Sequence, residues 1–258
     1  MEVKTIRDKS EIYNFLSSNP GLYLYLIGDL DDFFWPNTKW FALYVNNTIR
    51  SIALLYSGEN PTFLLFHDGD ISFPAFLIKS VKSDLPEQFN VHLSPGLINH
   101  FGSENIIKNF GHNLRMVLKK SPVSISDNNI RRLGPADIDE MKNLYASAYP
   151  GNWFESRMVE TGKYFGYFID NRLAGISGIH VFSKEYRVAA LGNIATHPDY
   201  RGKKIAYKLT LALCEDLKTD TDTIGLNVKS GNIPAIRCYE NAGFETCGSY
   251  DECLIRNA

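Results

Sequence analysis

Long apolar runs are missing from this 258-residue chain. No stretch approaches the ~20 uninterrupted apolar residues that a membrane-spanning helix needs. The amino terminus, MEVKTIRDKSEIYNF, scatters charges where a signal peptide would carry its apolar segment. A soluble cytoplasmic protein with no membrane partner is expected. Charge of one sign is missing too: 27 Lys plus Arg stand against 29 Asp plus Glu. With no run of like charge, no net field recruits nucleic acid. Cysteine is scarce, and Cys214, Cys238, Cys247 and Cys253 form no C-x-x-C pair. Free thiols in a reducing compartment are expected, without disulfides and without a metal site. What is present is ordinary globular material: 44% hydrophobic and 13% aromatic residues fill the core of one large domain or two of ordinary size.

The stretch Ser121 to Asn129 has turn formers and small polar residues but almost no apolar pattern, which marks a linker. Domains over 1–121 and 128–258 follow. In the second, a strand at 130–133 leads to Pro135-Ala136-Asp137-Ile138-Asp139-Glu140, where proline and acids suit the first turn of a helix reaching Ala148. A second helix is expected over Trp153 to Glu160, then strands at Tyr164–Ile169, Leu173–Val181 and Arg187–Thr196, turning at Asp170-Asn171. Ile205, Leu209, Leu213 and Leu217 recur at helical spacing. A strand at Ile224–Val228, a helix at Ile233–Asn241 and two strands either side of Gly248-Ser249 complete an α/β sandwich around a mixed sheet.

Two segments carry chemistry. Thr196-His197-Pro198-Asp199-Tyr200-Arg201-Gly202-Lys203-Lys204-Ile205-Ala206 joins a strand end to a helix start. There, unpaired backbone N–H groups and the positive end of the helix dipole can cradle a phosphate, with Arg201 and two lysines adding charge. In the second, Asn232 to Phe244, Asn232 can cap a helix, Pro234 fits its first turn and Gly243 can end it at positive φ. Ala235 and Tyr239 share a face of that helix, leaving room for a ligand chain beside the phenol.

Together the segments resemble the GNAT N-acetyltransferase superfamily over about 130 residues. Its pyrophosphate motif R/Q-x-x-G-x-G/A is matched at Arg201 and Ala206, with Lys204 where glycine is usual. N-x-x-A-x-x-x-Y-x-x-x-G-F is matched at every fixed position from Asn232 to Phe244. The resemblance implies a GNAT fold, a mixed and mostly antiparallel sheet flanked by helices, and an enzyme that moves an acetyl group from acetyl-CoA to a small-molecule or peptide amine. It implies that Ile194, Ala195, Thr196 and Asn227 border the pantetheine arm, that Arg201, Gly202, Lys203, Lys204, Ile205 and Ala206 hold the pyrophosphate, and that Asn232, Ala235 and Tyr239 approach the cofactor. Tyr239 aligns with the family's general acid. A monomer or homodimer is expected. A non-catalytic acyl-CoA-binding module, or an enzyme using longer acyl groups, is the alternative.

The general base has no obvious residue. Many relatives use a glutamate on the strand before the phosphate loop, but Arg187 to Thr196 holds no carboxylate, and Asn193 cannot serve. His180, Glu155 and the Asp251-Glu252 pair are the candidates. His197 is expected to be a turn residue beside Pro198.

The amino-terminal half echoes the same order: a helix at Ser10–Ser17, strands at Trp40–Val45, Ile49–Tyr56 and Thr62–Phe66, a helix at Phe73–Val81 and a strand at Phe89–Leu93. It is expected to be a diverged GNAT-like domain without a cofactor site, because His67-Asp68-Gly69-Asp70 stands where a phosphate loop would and its aspartates would repel a pyrophosphate. The run Tyr23 to Trp35, aromatic with three aspartates, suits either the wall of a pocket for a cationic amine or a helix packed into the core. Tyr149 to Phe154 lies in the region that borders the acceptor site in relatives.

Overall fold

The computed structural model describes residues 1–58 and 60–257; Ala258, the last residue of the expected second domain, lies outside the described residues. The chain forms two compact units. One is Met1–Arg115 together with the chain from Thr246 on, and the other is Met116–Glu245. The carboxy-terminal strand thus groups with the first unit, where the sequence suggested a clean division near residue 121. Its ladder accounts for this: Asp251 to Arg256 pair antiparallel with Leu93 to Gln88.

In the first unit the elements are β1 (Glu2–Ile6), α1 (Lys9–Leu16), α2 (Pro20–Gly28), β2 (Thr38–Val45), β3 (Thr48–Tyr56), β4 (Thr62–Leu65), α3 (Ser72–Val81) and β5 (Gln88–Leu93). β6 (Ile106–Leu118) then carries the chain across the divide. The second unit holds β7 (Ile130–Arg132), α4 (Ile138–Ala148), β8 (Phe165–Ile169), β9 (Arg172–Ser183), β10 (Val188–Thr196), α5 (Ile205–Leu217), β11 (Thr223–Lys229) and α6 (Ile233–Asn241). β12 (Phe244–Arg256) carries the chain back.

The two halves repeat one topology. The strands of the first unit lie in the order β1-β2-β3-β4-β5-β12 and those of the second in the order β7-β8-β9-β10-β11. In each unit one neighbouring pair is parallel, β4 with β5 and β10 with β11, whereas β1–β2, β2–β3, β3–β4, β5–β12, β7–β8, β8–β9 and β9–β10 are antiparallel. The hairpin turns repeat too: Asn46 and Asn47 have φ of 51° and 59°, Asp170 and Asn171 have 48° and 60°. Two successive positive φ values make the tight turn that matches strand twist, and Asn and Asp tolerate them best among residues with a side chain.

The core of the first unit gathers alternate residues of its strands, Phe41 and Leu43, Ala53 and Leu55, Phe63 and Leu65, against Leu77, Ile78 and Val81 of α3. Cys253 and Ile255 of β12 join it. On α2, Leu22, Tyr23, Leu24, Leu26 and Ile27 are buried, so the part of the aromatic run that lies on this helix serves packing, whereas Phe33 beyond it is exposed. In the second unit the periodic residues of α5, Ile205, Leu209, Leu213 and Leu217, are all buried. Ile205 and Leu209 pack with Tyr167 and Ala174.

Two of the expected elements differ. Trp153 to Phe154 is not helical, and the stretch Ser156–Thr161 is a 3-10 helix. Trp153 packs on His180 while Phe154 packs between Tyr145 and Tyr164, and neighbours ~100° apart on an α-helix could not serve both sites. The two closing strands around Gly248-Ser249 are one strand, β12. The linker from Ser121 has no regular structure, yet Asp127 fastens it through Lys208 at 2.7 Å and the Tyr167 hydroxyl at 3.2 Å.

All four cysteines are free. Among the described residues no helix is long and apolar enough to cross a membrane.

Candidate functional site

β10 and β11 run side by side only from Val188 and Thr223 to Leu191 and Leu226. Beyond Leu191, β10 is irregular against β9, with a register shift between Gly192 and Ala195. Asn193 sits in that shift at φ 54° and is buried. A residue in the left-handed region turns the strand locally, so β10 leaves its parallel partner while still reaching Thr196. Past the end of the ladder lie Ile194, Ala195 and Thr196 on one strand and Asn227 on the other. The Thr196 hydroxyl is buried without a partner among the described residues, a polar atom that a bound chain could satisfy.

The loop after β10 joins a short 3-10 turn to the start of α5. His197 Nδ1 accepts the Asp199 N–H at 3.3 Å, which makes His197 a turn residue, as expected. Gly202 follows at φ 80° and Lys204 at φ 58°. Left-handed residues thus bracket Lys203, and α5 opens there with no side-chain cap. Its first N–H groups therefore have no intrahelical acceptor. A Cβ added at Gly202 would meet nothing within 4 Å, so the space beside it is open. Arg201, Lys203 and Lys204 are exposed around it. The left-handed φ at Lys204 gives the physical reason why relatives prefer glycine there.

α6 matches its sequence signals. Asn232 Oδ1 accepts the Ala235 N–H at 3.3 Å, proline occupies the first turn and Gly243 ends the helix at φ 99°. A Cβ at Gly243 would lie 3.0 Å from the Cβ of Lys120, a second reason for glycine. Tyr239 is half-buried with its ring 6.1 Å from that of Phe244. Burial pushes the neighbouring Cys238 thiol up to about 11. It therefore stays protonated at neutral pH and is a poor nucleophile.

The bulge is surrounded by a polar cluster. Asn193 Nδ2 donates to the Tyr164 hydroxyl at 3.0 Å, and its Oδ1 faces His180 Nε2 at 3.2 Å and Asn152 Nδ2 at 3.4 Å. The Tyr145 hydroxyl donates to the Asn193 carbonyl at 2.8 Å. Of the base candidates, only His180 joins this cluster. Burial lowers its pKa, against a smaller upward pull from Asn193, so the neutral imidazole is favoured. Glu155 is ion-paired with Arg157. Asp251 and Glu252 belong to the first unit, where they meet His112 at 2.9 Å and Asn113 at 3.1 Å. Asn152 lies in the stretch from Tyr149 to Phe154 that the sequence singles out, whereas Tyr145 and Tyr164 carry no signal of their own beyond the asparagine inside the otherwise apolar strand VAALGNIAT.

The equivalent place in the first unit is closed. β4 stops at Leu65, the Ser94 N–H donates to the Leu65 carbonyl at 3.1 Å and the His67 N–H donates to Ser94 Oγ at 3.1 Å. At the start of α3, Asp70 Oδ1 accepts the Ser72 N–H at 2.9 Å. Among the described residues no cluster of three or more His, Cys, Asp or Glu side chains could hold a metal ion.

Residues 135–244 match the family model described as the acetyltransferase (GNAT) family. No curated protein matches the chain. Among solved structures, an acetyltransferase from the GNAT family of Colwellia psychrerythraea is 16% identical with a TM-score of 0.59, covering 99% of this chain and 100% of that one. A GCN5-related N-acetyltransferase from Sphaerobacter thermophilus is 10% identical at a TM-score of 0.66, covering 98% and 94%. A tandem GNAT protein from the clavulanic acid biosynthesis pathway is 12% identical at 0.56, covering 100% and 99%. At these identities the structures establish fold. The second half of the chain carries a GNAT acetyltransferase domain, and the first half repeats its fold in diverged form.

Proposed function

We propose that the domain over residues 135–244 is an N-acetyltransferase moving an acetyl group from acetyl-CoA to an amine, small molecule or peptide, by direct attack in a ternary complex. The observation that carries this reading is the loop from Arg201 to Ala206, where left-handed Gly202 and Lys204 lead into a helix whose first amides have no side-chain cap, just past the point where the β10–β11 ladder ends. The amides of Gly202 through Ala206 bind the pyrophosphate, and Arg201, Lys203 and Lys204 neutralise it. Backbone groups of Ile194 and Thr196 hold the pantetheine arm as an added strand would be held, with Ala195 and Asn227 lining its path. Asn232 and Ala235 border it from α6.

Acetyl-CoA supplies the activated acetyl group as a thioester. Tyr239 donates a proton to the departing sulfur, and His180 takes one from the amine. Glu155 is the weaker candidate for that base because Arg157 already engages it. The raised thiol of Cys238 argues against an acyl-enzyme route. One acetyl-CoA per chain is expected, in a cytoplasmic monomer or homodimer that needs neither metal nor nucleic acid.

The test is calorimetric titration with acetyl-CoA, paired with thiol detection of CoA release over a broad amine panel. Binding with no release on any amine points to a non-catalytic acyl-CoA module; release that grows with acyl length points to a longer acyl donor. No binding at all overturns the reading.

A further inference from the structure

We propose that Asn193 and Tyr164 lock His180 in the tautomer that leaves its Nδ1 as the proton acceptor for the incoming amine, a positioning role that rests on the acetyltransferase reading above. The argument is a count of hydrogens. The Tyr164 hydroxyl has one, and it is spent on the Ile179 carbonyl at 2.9 Å or on Met158 Sδ at 3.4 Å. Toward Asn193 that hydroxyl can only accept, so the amide atom 3.0 Å away is the NH2 group. Met158 Sδ, 3.6 Å from the same nitrogen, also calls for a donor. The amide is thus oriented from one side, and its oxygen must point to the other, toward His180 and Asn152.

An amide oxygen carries no hydrogen, so the imidazole atom 3.2 Å from it, Nε2, must carry one. A neutral imidazole has a single N–H, and Nδ1 is left with the lone pair. No protein group among the described residues hydrogen-bonds Nδ1. The ring's place is fixed as well: a Cβ added at Gly192 would lie 2.3 Å from His180 Cδ2, so the imidazole rests on the backbone of β10 one residue before the bulge. Trp153 covers it with ring centroids 5.6 Å apart. The ring therefore sits beside the strand segment, Ile194 to Thr196, assigned to the pantetheine arm.

The electrostatic surroundings suit a base that is neutral near pH 7. The titratable groups beside the cluster are the phenols of Tyr164 and Tyr145, both pushed up by burial, and the nearby Glu155 is held by Arg157. Among the described residues no carboxylate hydrogen-bonds the imidazole to raise its pKa. In the transfer, the amine nitrogen bonds to the acetyl carbonyl carbon and the carbon–sulfur bond breaks. The ammonium proton passes to His180 Nδ1, and the sulfur takes its proton from the Tyr239 hydroxyl. Solvent returns one proton to Tyr239 and removes the other from His180.

The experiment is long-range 1H–15N NMR of the full chain labelled with 15N-histidine, with His180→Gln assigning the signals. The expected result at neutral pH is an Nε2–H imidazole with an unprotonated Nδ1 for His180. With an amine that supports CoA release, Asn193→Asp should raise the acid limb of kcat/KM by on the order of one pH unit, because a carboxylate now favours the imidazolium. Tyr164→Phe, which removes the anchor of the amide, should lower kcat more than it raises KM; this variant serves if Asn193→Asp does not fold. An Nδ1–H tautomer, or an acid limb unmoved in Asn193→Asp, overturns the positioning role. Absence of CoA release from every amine, with the Nε2–H tautomer present, strikes the acetyltransferase reading instead.

Discussion

Asp70 accepts the backbone N–H of Ser72 at 2.9 Å and so closes the amino terminus of α3 with the protein's own carboxylate. That hydrogen bond holds Asp70 below the usual carboxylate range. In the second unit the matching helix, α5, opens without a cap. The same topological position thus carries a fixed carboxylate in one half and no side-chain cap in the other. Calorimetry with acetyl-CoA should give one site per chain. Two sites would mean that the first unit binds despite Asp70.

Lys204 lies at φ 58°, a conformation that costs a residue with a side chain about 1–2 kcal/mol. Lys204→Gly removes that strain but adds roughly 0.5–1 kcal/mol of backbone entropy to the unfolded chain. The net should be a gain of about 0.5 kcal/mol in denaturant unfolding. Lys204→Val, β-branched at the same φ, should unfold more easily than the native chain. Equal midpoints for the two variants would show that the loop does not hold its left-handed form in solution.

Much of this was legible because local rules and tertiary packing agree. The stripe Ile205, Leu209, Leu213, Leu217 is apolar at helical spacing and is the buried face of α5. Asn232, Pro234 and Gly243 mark the ends of α6 by capping chemistry that depends on nothing distant. The miscues have a common cause, residues whose role is set by partners far along the chain. β6 was overlooked because its exposed and half-buried residues from Ile106 to His112 carry no alternating apolar pattern. β12 pairs with β5, some 160 positions away in sequence, a partner that no local pattern in its own residues announces. In the candidate site, the phosphate loop is a contiguous segment and could be found. The Asn193 cluster draws on Tyr145, Asn152, Tyr164 and His180, which only the fold brings together.

Tyr239 and Cys238 are adjacent on α6 and separate two mechanisms. If Tyr239 protonates the leaving sulfur, Tyr239→Phe should lower turnover on the order of 10²-fold while acetyl-CoA binding barely changes. Cys238→Ser should keep its turnover, because burial holds the thiol up near 11 and little thiolate exists at pH 7. Intact-protein mass spectrometry after mixing with acetyl-CoA should find no acetylated enzyme. An acetyl adduct lost in Cys238→Ser would establish the covalent route in its place.

His180 links the site to stability. Burial lowers its pKa in the folded protein, so over the range between the folded value and the ordinary ~6.5 the unfolded chain binds more protons at this residue. Stability therefore rises with pH through that window and falls as the pH drops below about 6.5, the sense opposite to that of a histidine gaining a carboxylate partner. Urea unfolding of the native chain and of His180→Gln at pH 7.5 and pH 5 checks the sign. The loss on acidification should be smaller in the variant, since glutamine cannot take up the proton. Asn193→Asp should reduce the same loss by a different route, because a carboxylate beside Nε2 lifts the folded pKa toward the unfolded one. A variant that loses as much stability on acidification as the native chain would mean that the imidazole is already charged in the fold, and with it would go the case for His180 as a neutral proton acceptor.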